Sequence, residues 1–97
     1  MPRKSKRQRE NAKENIKNLA IKILWEDFVW VLKNEYRAKM INKSGSVRVF
    51  LIEGVHPFTA HEPHGREPWV SKADRERAKW AIEAIEALQK EHKESEE

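Results

Sequence analysis

Cysteine is absent from the 97 residues. That excludes disulfides, thiolate metal sites and thiol nucleophiles, and it fits a reducing compartment. No apolar run approaches the roughly 18 residues that a bilayer span needs, and the basic N-terminus is not followed by the unbroken apolar stretch of a signal peptide. The sequence therefore reads as cytoplasmic, with no membrane partner. What it does contain suffices for a core. Apolar residues make up 38%, four Trp and three Phe among them, against 37% charged, which is too apolar for a disordered chain. A chain of this length holds one domain at most and buries too modest a core to enclose a substrate, so any site should be an open surface.

The net charge of +4 is unevenly placed: residues 1–17 carry +5 and residues 18–97 sum to −1. Arg3, Lys4, Lys6, Arg7 and Arg9 thus form a basic tail. Such an arm attracts polyanions by releasing their counterions, and it is equally expected of a plain solubilising, disordered terminus. The division that follows is a basic tail over 1–17, a folded domain over 18–90, and a frayed acidic tail over 91–97 that has no apolar anchor.

Neither Pro nor Gly interrupts residues 15–36, where Ile16, Leu19, Ile23, Leu24, Phe28, Val31, Leu32 and Tyr36 recur near helical spacing. The spacing predicts a first helix, strongest over 24–34, where Trp25, Phe28, Val29 and Leu32 make an apolar stripe wide enough to cover a sheet. Whether residues 10–20 extend it or form a separate turn is left open, and Trp30 falls at the core edge. Turn clusters at Asn42-Lys43-Ser44-Gly45 and Glu53-Gly54 then separate three strands over 38–41, 46–52 and about 55–61. In the second, Val47, Val49 and Leu51 share one face and Arg48, Phe50 and Ile52 the other. Pro57 marks the third as an edge. Residues 61–70 form a loop with two Pro, one Gly and two His, a composition that often carries function.

Ser71-Lys72-Ala73-Asp74 resembles a capping box with Asp in place of Glu, opening a second helix whose buried face reads as Ala73, Arg77, Trp80/Ala81, Ala84/Ile85 and Leu88. Trp69 reads as a staple before that helix, and Trp25 and Trp80 as core residues without a ligand role. The order α-β-β-β-α gives an α+β two-layer sandwich, both helices on one face of a three-stranded antiparallel sheet and the other face open, as in double-stranded-RNA-binding domains.

The segments Trp25-Glu26-Asp27-Phe28-Val29-Trp30-Val31-Leu32, Gly45-Ser46-Val47-Arg48-Val49-Phe50-Leu51, Glu53-Gly54 and His61-Glu62-Pro63-His64 together resemble a HicA-type toxin, over residues 21–88. That resemblance implies a double-stranded-RNA-binding-domain-like fold, endoribonuclease activity on messenger RNA, and a HicB-type antitoxin partner covering the active surface. One departure matters. Many members place their expected catalytic His directly after the Gly-Ser pair, where this chain has Val47, so that assignment does not carry over.

Metal-free RNA cleavage needs a base for the 2′-hydroxyl proton, an acid for the leaving oxygen and a cation for the phosphate, and imidazole suits the proton steps. His61 and His64 are the catalytic candidates, against a plain role in tying down the turn around Pro63 and Gly65. Arg48 on the central strand offers two hydrogen bonds to a phosphate, and Lys43 and Ser46 add contacts. Gly45 serves either close backbone approach or a positive φ. Arg66, Lys72, Arg75 and Lys79 extend a phosphate-binding surface along the second helix, or simply form a solvated face. His56 is weaker, being five positions from His61 and so on the opposite face of an uninterrupted strand, and His92 in the fraying end is set aside. A zinc reading of His61 and His64 fails on count, since no Cys or nearby third His joins them, although Glu62 or Glu67 are at hand. No metal or small-molecule cofactor is expected. The rival to the toxin is a noncatalytic nucleic-acid-binding module, in which Val47 marks lost catalysis.

Overall fold

The computed structural model describes residues 6–64 and 68–95. Its elements run α1 (Lys6–Asn15), α2 (Trp25–Glu35), β1 (Lys39–Asn42), β2 (Val47–Leu51), β3 (Phe58–His61) and α3 (Lys72–Ser95). The strands form an antiparallel sheet in the order β1-β2-β3, an α+β arrangement with α2 and α3 flanking the sheet in the expected α-β-β-β-α order. Among the described residues no helix is long and apolar enough to cross a membrane.

The register explains which sheet face is covered. Met40 and Phe50 pair across β1 and β2, and Phe50 and Phe58 across β2 and β3, so alternation sends all three side chains to one face. Phe50, fully buried, stacks on Phe58 at a centroid distance of 5.3 Å and meets Phe28 of α2 edge-on at 5.9 Å. Trp25 completes the group 5.7 Å from Phe28. Val31 and Leu32 from α2 and Ala78, Ile82 and Ile85 from α3 fill the remainder.

The first predicted helix is shorter than its apolar periodicity. Helix α2 begins at Trp25, and the basic segment read as a tail contains a helix of its own, α1, whose Ala12, together with Ile16 just beyond it, joins the core. The connection over 16–23 is irregular because a buried cation organises it. The Arg75 guanidinium, 2% exposed, donates to the backbone oxygens of Ile21 (2.7 Å), Asn15 (2.8 Å), Asn18 (3.0 Å) and Ile16 (3.2 Å). These include carbonyls at the end of α1 that have no partner within the helix. Burial draws the Arg75 pKa below its ordinary value. Arg75 is therefore a structural cation within the fold, and its reading as a surface phosphate ligand is corrected.

The buried face of α3 also differs from the one predicted. Asp74, Arg75, Ala78, Ala81, Ile82 and Ile85 are buried, whereas Trp80 is 81% exposed and Leu88 44%. The sheet meets the stripe through Ala78, Ile82 and Ile85, rotated away from Trp80, so the expectation of a core Trp80 fails. At the other end α3 continues to Ser95, beyond the predicted start of fraying.

Candidate nucleic-acid interface

The candidates gather where β2 begins and β3 ends. Val47 pairs with His61, Lys43 N–H donates to the Val47 oxygen at 2.9 Å, and Glu62 N–H donates to the Ser46 oxygen at 2.9 Å. The backbones of Lys43 and His61 thus flank Val47, the position at which the resemblance leads one to look for an imidazole, and Ser46 adjoins it opposite Glu62. Gly45 has φ +62°, and a Cβ there would meet nothing within 4 Å. The positive φ is the left-handed turn conformation that favours glycine.

Arg48 lies differently from the arrangement its sequence position suggested. It pairs with Ala60, which is fully buried, so alternation directs Arg48 and His61 to opposite faces. Its guanidinium is engaged within the chain, donating to the Gly45 oxygen at 2.9 Å and the Val47 oxygen at 3.0 Å and lying 3.4 Å from Glu62 Oε1. It braces the β1–β2 turn. His64 is exposed beyond the end of β3, Lys72 is exposed at the first position of α3, and Arg66 lies outside the described residues.

Sequence reasoning missed the partners of His61. The first turn of α3 runs along the outer edge of β3, and the Asp74 side chain, 1% exposed, turns back toward the strand. Asp74 Oδ2 accepts the His61 backbone N–H at 2.9 Å, and Oδ1 lies 3.4 Å from His61 Nδ1, at the loose end of hydrogen-bond range. The same Oδ1 accepts Arg77 Nη1 at 2.7 Å. Ser71 Oγ in turn accepts the Asp74 N–H at 3.2 Å, the capping bond that the sequence did announce. A buried carboxylate therefore holds the His61 main chain and a half-exposed guanidinium, and lies beside the imidazole Nδ1. Only the docking of α3 beside β3 reveals this, since Asp74 and His61 lie on different elements.

No family, curated protein or solved structure matches the chain. Chemistry must be argued from the residues alone. A His oriented through Nδ1 by a carboxylate presents Nε2 as a proton acceptor, the arrangement general-base catalysis requires. The adjacent Arg77 is the residue type that grips phosphate through several N–H donors.

Proposed function

We propose that this chain is a cytoplasmic, metal-independent endoribonuclease of the HicA toxin type, restrained by a HicB-type antitoxin that covers the His61 surface. One observation carries the reading: the register sets His61 across from Val47, with buried Asp74 behind its ring and Arg77 alongside. An imidazole thus stands one strand away from the position that Val47 occupies. In the proposed reaction His61 removes the 2′-hydroxyl proton, the 2′-oxygen attacks the neighbouring phosphorus, and Arg77 stabilises the charge on the phosphoryl oxygens. The bond to the 5′-oxygen breaks, leaving a 2′,3′-cyclic phosphate, and His64 protonates the departing oxygen. Lys43 and Ser46 hold the strand from the β1–β2 turn.

The test is incubation of a long messenger RNA with the purified chain in the presence of a chelator. Cleavage is expected from the wild type and is expected to be lost in His61→Ala. Val47 itself favours the second reading, a noncatalytic RNA-binding module. Intact RNA together with salt-sensitive binding would establish that module and overturn the nuclease.

A further inference from the structure

Beside the His61 cluster an open groove of about 690 Å³ runs between the chain leading into β3 (Val55 to Thr59) and α3. Its α3 wall carries Ala73, Glu76, Arg77, Trp80, Ala81 and Ala84. The alanines make a shallow trough, and from it rises the indole of Trp80, 81% exposed. A large aromatic left in water beside a trough is a surface awaiting a flat partner. Resting on the RNA reading above, we infer that this groove seats one unpaired base of a single-stranded RNA, stacked on the Trp80 indole, with its flanking phosphate on Arg77.

Three features favour a nucleotide over a peptide strand. The edge of β3 is closed at both ends: Pro57 has no N–H to donate, and the His61 N–H is taken by Asp74. An added strand could pair fully only with Thr59, whereas strand addition relies on a row of main-chain hydrogen bonds. The groove is also electrostatically polarised. Glu76 repels phosphate and accepts hydrogen bonds from base amines, while the Arg77 guanidinium attracts the backbone. Finally, Asp74, Arg77 and Trp80 succeed one another along α3, so the stack and the His61 cluster are separated by about 9 Å along the axis, from a rise of about 1.5 Å per residue. One nucleotide with its phosphate bridges that distance, which brings that same phosphate, held by Arg77, to His61.

The test uses the full chain carrying His61→Ala, so that RNA survives the measurement, and labelled single-stranded hexadenylate and hexauridylate as probes. Trp80→Ala, whose fold circular dichroism verifies, is expected to weaken binding about tenfold or more, in line with the loss of one base–aromatic stack. Trp80→Phe should stay within about threefold of the parent, and blunt duplex RNA should be affected far less than either probe. If the parent binds RNA and Trp80→Ala binds it equally well, the groove assignment falls while RNA binding stands. Absence of RNA binding in the parent overturns both. Trp80-dependent binding, together with no cleavage of RNA by the chain that retains His61, keeps the groove and removes only the nuclease. A change in native mass from dimer to monomer on Trp80→Ala, with RNA affinity unchanged, reassigns the surface to a second copy of the chain and overturns the proposal.

Discussion

Asp74 concentrates several duties in one buried carboxylate. Both of its oxygens act as acceptors, Oδ2 from the His61 main chain and Oδ1 from Arg77 with the His61 ring nearby. A carboxamide cannot reproduce this, because Asn has one acceptor oxygen and must turn an NH₂ toward either the His61 N–H or the Arg77 guanidinium. Asp74→Asn should therefore destabilise the fold by about 1–3 kcal/mol, the usual cost of an unmet buried or charge-assisted hydrogen bond. Urea unfolding reads that loss. RNA cleavage by the proposed nuclease should fall further than the unfolded fraction explains, since the imidazole loses its orienting partner. Full activity in a destabilised Asp74→Asn chain would reduce Asp74 to a residue that ties α3 to β3.

At the scale of elements, what could be read from the sequence was set by how strongly each segment's pattern exceeded its charge. Helix α2 and the three strands announce themselves through dense apolar periodicity and clear turn clusters. Helix α1 does not: ten residues rich in Lys, Arg, Glu and Asn bury Ala12 as their core contribution, so composition reads as a tail. The α3 face was displaced because Trp80 and Arg77 fit a helical stripe as well as Ala78 and Ile82 do, and only docking against β3 chooses between them. Arg75 was misread because a cation is seldom buried, and its partners are main-chain oxygens that leave no mark in a sequence. Those partners make a prediction for the α1–α2 connection. Arg75→Met keeps the bulk and removes the donors, leaving the oxygens of Asn15, Ile16, Asn18 and Ile21 without that guanidinium. The expected loss is about 1–3 kcal/mol, because the Ile16 and Ile21 oxygens lose that donor, while those of Asn15 and Asn18 keep the Asn18 and Ile21 N–H groups. Hydrogen exchange should show α1 amides opening before those of α2. An unchanged urea midpoint would mean that the carbonyls find other donors.

For the whole molecule, the basic N-terminal segment changes character once α1 is docked. The Arg9 guanidinium lies 5.1 Å from the Trp30 ring centroid, Lys13 pairs with Glu35 at 3.3 Å, and Lys17 with Glu86 at 2.7 Å. Three of the seven basic groups of this segment, Arg9, Lys13 and Lys17, are thus directed onto the chain's own aromatic and acidic groups, while Arg3 and Lys4 lie outside the described residues. The Glu86 contact raises the Lys17 pKa above its ordinary value, yet exposed ion pairs of this kind add little stability. Removing residues 1–17 should nevertheless be costly for a different reason. It uncovers the core around Ile16, whose burial alone contributes about 1.5–3 kcal/mol, and it takes away two of the four carbonyls that satisfy buried Arg75. The expected outcome is a chain destabilised by several kcal/mol, on the order of the losses seen when a buried charge loses partners, and unfolding at markedly lower urea. A solubilising tail predicts no shift in that midpoint. If the shortened chain unfolds at the same urea concentration, α1 lies outside the cooperative fold. A large shift makes α1 a third helix of the domain rather than a tail appended to it.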